Sequence, residues 1–128
     1  MFSNIPLLLS GIISGMILFQ SAIVAPSVFK ILREENAGPF LRAIFPKLFL
    51  VTTLLGCMQL LFSYFLLSLN VFIIGLITSI LMATCYLIVP STNKARDDGD
   101  NKKFSRLHSI SVSFTLMVLI SNLLLFLL

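Results

Sequence analysis

The sequence predicts an all-α fold, a polytopic membrane four-helix bundle. Of its residues, 58% are hydrophobic. All nine Lys and Arg and all five Asp and Glu fall in two short windows, residues 30–47 and 94–106. The remaining stretches, 1–29, 48–93 and 108–128, contain none of these four residue types. Open β-strands are excluded in such stretches because unpaired backbone groups cannot face lipid.

The lengths of these stretches predict the helices. A helix crosses the hydrocarbon of a bilayer with roughly 20 residues, each rising about 1.5 Å. The first stretch holds one span. The second is about twice too long for one span, and its polar break at Ser68-Leu69-Asn70 predicts a turn between two helices. The third stretch supplies the last span. The predicted helices cover residues 5–29, 46–67, 71–90 and 106–127, in a single transmembrane domain, 1–128.

The charges predict the orientation and the partners. The first window has four Lys or Arg against two Glu, and the second has five against three Asp, so each nets +2. Short basic loops stay in the cytoplasm, so we expect both termini outside it, in a bacterial inner membrane. The lipid bilayer is one expected partner, with attraction to anionic headgroups, and a homo-oligomer or larger complex is another. Nucleic acid is not expected, because the few basic residues are mixed with acids. The candidate cytoplasmic loop contacts are Lys30, Arg42, Lys94, Arg96 and Arg106.

Shifting the chain by half of its 128 residues aligns it with itself without a gap. This pattern predicts two parallel-repeat helical hairpins, 1–64 and 65–128, related by an axis along the bilayer normal. We expect small residues to bring the first and third helices together as the central pair. Both helices should end at the matched prolines, which cannot donate to the helix ladder. The small residues are Gly11, Gly15, Gly75, Ser79 and Ala83, and the matched pairs are Pro26 with Pro90, Lys30 with Lys94, Phe40 with Phe104 and Arg42 with Arg106.

Polar side chains within the spans form a candidate intramembrane polar site. By helical rise, Gln20 and Gln59 lie about 15 to 18 Å from the charged windows, near the midplane. A buried amide in hydrocarbon needs hydrogen-bond partners. Thr52 and Ser63 share a helix face with Gln59, which favours a polar seam. The alternatives are a site or pathway between the first two helices and a structural hydrogen bond. The candidate residues are Gln20, Gln59, His108 and Asn122.

His108 has two interpretations. It could ligate haem or carry a proton. Alternatively, it could hold the start of the fourth helix against the end of the first through a hydrogen bond. No metal site is expected, since one His with two separated cysteines, Cys57 and Cys85, cannot supply tetrahedral zinc ligands. We expect no catalytic residue and no cofactor, with haem as the alternative.

Short motifs are distributed over nearly the whole chain: Gln20, Pro26-x-x-Phe29, Ala37-Gly38, Phe45-Pro46, Asn93-x-x-Arg96 and Phe104-x-x-Leu107-His108-x-x-Ser111. As a set, they resemble the transmembrane protein 205-like family. The resemblance implies a small four-helix integral membrane protein without an established biochemical activity. The chain departs from the family at Lys47, where many members have an aromatic residue. A looser resemblance, to copper-resistance and protoporphyrinogen-oxidase-type membrane proteins, implies intramembrane histidines and haem.

Three functions therefore stay open. The first is a binding, scaffold or accessory subunit with a polar intramembrane seam, and it is favoured over an enzyme. The second is a haem-binding redox protein that uses His108. The third is a small-solute transporter, which the parallel repeat favours and the absence of an intramembrane charge disfavours.

Overall fold

The computed structural model describes residues 2–128, and they form four long helices with no strand among them. Each helix is long and apolar enough to cross a membrane. This confirms the predicted all-α four-helix membrane bundle. The helices are α1, Phe2–Ile31; α2, Glu34–Leu66; α3, Leu69–Asp97; and α4, Asn101–Leu124.

The helices form a ring in which α2 contacts α3, α3 contacts α4, and α1 completes the ring against α2 and α4. All four helices contribute to one apolar core. The outer surface is equally apolar, with Leu8, Leu54 and Leu87 more than half exposed. Such a surface suits lipid rather than water. The main core residues are Ile13, Ile17, Phe49, Met82, Cys85 and Val118.

The closest helix approach lies between α2 and α3, not between the first and third helices. A Cβ built on Gly56 of α2 would lie 2.8 Å from Ser79 Oγ and 2.9 Å from Ser79 N of α3. A Cβ on Gly75 would lie 3.0 Å from Leu60 N. A Cβ built on Gly15 would have no neighbouring atom within 4 Å. The predicted central pair is therefore wrong, because the small residues of α3 face α2. The internal repeat stays a prediction.

The helices extend well beyond the predicted bounds. Helix α2 begins at Glu34 rather than at residue 46, and α3 continues past Pro90 to Asp97. The charged windows are therefore mostly helical, because adding residues to an existing helix is easy and Lys, Arg and Glu favour it. A 33-residue helix spans about 50 Å, more than the roughly 30 Å of hydrocarbon. The end of the bundle that holds residues 30–47 and 94–106, which we call the charged end, thus projects beyond the apolar core of the bilayer.

Short turns join the helices at both ends. Between α2 and α3, Leu67 adopts a left-handed conformation with φ of 50°, and the Ser68 side chain caps α3 by accepting from Val71 N. This confirms a tight turn near residues 68–70. Gly99, with φ of 72°, ends α3 at the charged end. Since Phe2 stacks near Phe62 at 6.5 Å, α1 begins beside this Leu67 turn, which we call the uncharged end.

Helix α1 contains a widened π-helical turn at Gln20–Val24. The Ala25 N–H donates to the Gln20 carbonyl, five residues back. Pro26 follows directly and has no N–H to donate to the ladder. Its ring therefore falls where the helix is already irregular, and α1 runs on to Ile31 instead of ending at the proline.

Candidate functional site

One polar side chain from each helix meets in the interior. We call these residues the polar cluster: Ser10 of α1, Gln59 of α2, Thr78 of α3 and Asn122 of α4. All four are fully buried. Gln59 Nε2 donates to Ser10 Oγ at 2.8 Å and to Asn122 Oδ1 at 3.0 Å. Ser10 Oγ donates to Asn122 Oδ1 at 2.9 Å. The polar cluster therefore ties the helices together across the whole ring.

Asn122 is the centre of this network. Its Oδ1 accepts from two helices, while its Nδ2 donates to Thr78 Oγ1 and to the Val118 carbonyl, both at 2.9 Å. An asparagine amide that uses both its oxygen and its nitrogen in this way is well satisfied in hydrocarbon. Within residues 2–128, Gln59 Oε1 is the polar atom of this cluster that is buried without a partner.

The polar cluster lies in the uncharged half of the bundle. Gln59 is seven residues before the end of α2 at Leu66, which is about 10 Å of helical rise. Its neighbours on the predicted seam do not join it, because Thr52 Oγ1 and Ser63 Oγ donate to carbonyls of their own helix, those of Leu48 and Leu60. The polar cluster is thus a local four-helix junction rather than a continuous track along α2.

Gln20 lies apart from the polar cluster, in a groove that Lys47 also lines. Since Ser10 contacts Gln59 and lies ten residues before Gln20 on α1, about 15 Å of rise separates the two amides. Gln20 and Gln59 therefore do not meet, whereas Gln59 and Asn122 of the four candidate residues do. The Gln20 side chain is only 6% exposed, yet its Nε2 has no partner in the described part of the chain.

Gln20 and Lys47 line a groove of about 210 Å³ between α1 and α2. The other lining residues are apolar. We call this feature the α1–α2 groove. Helices α1 and α2 supply both its apolar wall and its two nitrogen-bearing side chains. The apolar lining residues are Met16, Phe19, Ile44, Leu48 and Val51.

His108 does not contact the polar cluster or hydrogen-bond to α1. It is exposed, and its ring stacks on Phe104, with centroids 5.6 Å apart and planes 9° apart. Arg96 of α3 lies over the same Phe104 ring at 4.3 Å. The expected hydrogen bond to the end of α1 is therefore wrong. One turn of helix places His108 on Phe104, so the stack with Arg96 joins α3 to α4 instead.

The predicted loop cations all lie on helices, because the charged windows are helical. Arg42 donates to both carboxylate oxygens of Asp97, at 2.6 and 3.2 Å, which links α2 to α3. Asp97 lies beyond the apolar stretch of α3, and these bonds hold the pKa of its carboxyl below the usual range. Lys94 pairs with Asp98 at 3.1 Å. Lys30 and Arg106 are exposed.

Two members of the polar cluster, Ser10 and Thr78, were not predicted from the sequence. The only local signal was a small polar residue within an apolar run, which many lipid-facing positions share. The cysteines are both free, with Cys57 exposed and Cys85 buried. Across residues 2–128, no group of three or more His, Cys, Asp or Glu could hold a metal ion.

Residues 8–101 match the family described as a domain of unknown function, DUF4149. The chain belongs to this family. No curated protein and no solved structure matches it. The match covers Ser10, Gln20, Gln59 and Thr78 and ends before Asn122. The DUF4149 match and the four apolar helices together describe a small integral membrane protein.

Proposed function

We propose that this DUF4149 protein is a binding or accessory subunit that acts through its surface rather than through an interior site. The polar cluster is the observation that carries the proposal. Its four fully buried side chains hydrogen-bond to one another across all four helices. Within residues 2–128, every polar side-chain atom of the cluster except Gln59 Oε1 is hydrogen-bonded, so we expect a partner to be recognised on the outside.

The charged end offers the groups for such recognition. Here the helices project beyond the hydrocarbon, and the α1–α2 groove opens beside Lys47. Arg42 and Asp97 brace α2 against α3, which gives this surface a defined shape. Charged and polar groups on a rigid scaffold suit recognition of another protein or of lipid headgroups.

The alternatives are less well supported by these contacts. A small-solute transporter needs a route through the bundle, which would require the bonds of the polar cluster to break. A haem protein needs His108 to point towards a cofactor, whereas its ring is stacked on Phe104 at the surface. We also propose kinship with the transmembrane protein 205-like family on the motifs quoted above, because they extend over nearly the whole chain.

We propose that the charged end faces the cytoplasm of a bacterial inner membrane. The support is that every Lys and Arg lies towards this end, in agreement with the rule for basic segments. Reporter fusions after Leu128 test this orientation. A periplasmic reporter should be active there, and activity of a cytoplasmic reporter at the same position would reverse it.

Photocrosslinking in native membranes tests the binding function. A photoreactive phenylalanine analogue at Phe40, 40% exposed at the charged end, should give an adduct of one defined mass. The matched control is the analogue at Leu8, 63% exposed in the uncharged half, where lipid adducts alone are expected. Solute uptake into liposomes that Asn122→Leu abolishes would contradict the proposal. So would a Soret band that His108→Gln removes.

A further inference from the structure

We infer that the α1–α2 groove binds one anionic phospholipid from the leaflet at the charged end. The phosphate lies between Lys47 and Gln20, and an acyl chain lies along the apolar wall. This inference rests on the proposed binding function and deepens it by naming the class of ligand. Four features of the groove support it.

The wall of the groove suits hydrocarbon. Five of its lining side chains are apolar, and Phe19 is 58% exposed. In a membrane, this wall meets the acyl chains of the bilayer rather than water. A soluble anion would gain nothing from such a surface, whereas a lipid covers it.

Gln20 supplies a donor that the protein leaves unused. Gln20 is only 6% exposed, and its Nε2 has no hydrogen-bond partner in residues 2–128. Buried N–H groups without a partner are rare because leaving one unpaired is unfavourable. A phosphate or ester oxygen from the lipid would satisfy this donor once the Gln20 side chain turns towards the groove that it lines.

The backbone is irregular at the same place. Gln20 begins the π-helical turn of α1, where the Ala25 N–H reaches five residues back to the Gln20 carbonyl. Single π turns inside α-helices occur frequently at functional sites. The widened turn adds one residue to the helix at the position where Gln20 enters the groove.

Lys47 places positive charge at the level of the headgroups. It is the last charged residue before the apolar part of α2, residues 48–66. Those nineteen residues span about 28 Å, close to the thickness of the hydrocarbon. The ammonium therefore lies at the bilayer interface, which its flexible stem allows. A cation at this level favours an anionic headgroup over a zwitterionic one.

Lipid retention tests the inference. The full chain is reconstituted in nanodiscs of equal phosphatidylglycerol and phosphatidylcholine, and native mass spectrometry counts the lipids that stay bound. The wild type should retain one phosphatidylglycerol. Lys47→Gln should lower its retention by about fivefold, because Lys47 is the cation proposed to contact the phosphate and one such cation contributes about a factor of five. Gln20→Leu should also lower retention, while Lys47→Arg should keep it.

The matched control is Lys30→Gln, which removes an exposed lysine of the same end outside the groove and should leave retention unchanged. Equal retention of phosphatidylcholine would overturn the inference. So would equal retention in Lys47→Gln and Lys30→Gln, or full displacement of the lipid by millimolar glycerol phosphate. The Phe40 crosslink keeps the two proposals distinguishable. A protein adduct there without lipid retention would overturn the lipid site and leave the binding function. Lipid retention without that adduct would support the lipid site and remove only the protein partner.

Discussion

The two halves of the bundle differ in whether the N–H groups of their buried amides are hydrogen-bonded. In the uncharged half, Gln59 and Asn122 share hydrogen bonds with Ser10 and Thr78. Near the charged end, Gln20 is almost as deeply buried, but its Nε2 has no partner in the described residues and the helix around it is irregular. The two environments differ in backbone regularity as much as in polarity.

This difference separates architecture from recognition. A polar residue inside a membrane is often taken as a functional site by default. Here the residues of the polar cluster bond to one another and hold the helices together, whereas Gln20 lines the groove for which we propose a ligand. The partners of a buried amide therefore indicate its role better than its depth does.

The largest expected effect concerns the tight α2–α3 contact of the uncharged half. Gly56→Val should lower the free energy of unfolding by about 3 kcal/mol, since even a Cβ there would lie 2.9 Å from Ser79 N. Gly15→Val is the matched control, with nothing within 4 Å of a Cβ. Unfolding in mixed micelles measures both, and equal losses would contradict the close approach.

The polar cluster should show the next effect. Asn122→Leu should lower the free energy of unfolding by about 2 kcal/mol, because Thr78 loses its donor and Gln59 and Ser10 lose a shared acceptor. Ser121→Ala is the control, since Ser121 bonds only within its own helix, to the Met117 carbonyl. If both variants unfold alike, the network does not stabilise the ring.

Gln20→Leu should give a smaller change of opposite sign. Removing an unpartnered amide from an apolar site should raise the free energy of unfolding by up to about 1 kcal/mol in detergent without anionic lipid. Measured in the same way, Asn122→Leu should lower the free energy of unfolding where Gln20→Leu raises it. A loss of stability in Gln20→Leu similar to that in Asn122→Leu would show that Gln20 has a structural partner.

The smallest effect concerns the pair between Arg42 and Asp97. The pKa of Asp97 is lower in the folded protein than in the unfolded chain. The pair therefore stabilises the fold at pH values above the pKa of Asp97 in the unfolded chain. That stabilisation is lost as the pH falls through the pKa of Asp97 in the folded protein. Both side chains are over a third exposed, so the change is minor. Carboxyl carbon NMR should show a higher Asp97 pKa in Arg42→Gln and an unchanged one in Lys30→Gln. A pKa that does not move in Arg42→Gln would contradict the pair.

Much of the fold could be predicted from the sequence because hydropathy is a property of each segment alone. A long uncharged stretch must enter the bilayer as a helix, whatever its neighbours do. This argument gave the four spans, the turn near Ser68, and two interior polar residues, Gln59 and Asn122. The predicted helix ends were too short, because the charged residues outside the bilayer also favour helix.

Tertiary structure alone decided which polar groups meet. Contacts across a bundle depend on how each helix is rotated about its axis and on the backbones that approach most closely. The Gly56 contact sets the α2–α3 pair, and the π turn at Gln20 changes the rotation of everything after it in α1. Rise per residue gives depth only from an assumed bilayer boundary, and the helices continue through the charged windows, so it placed Gln20 and Gln59 at one level. The rotation and stagger of α1 against α2 put Gln20 in a groove that Lys47 also lines and left the polar cluster to Ser10, Gln59, Thr78 and Asn122.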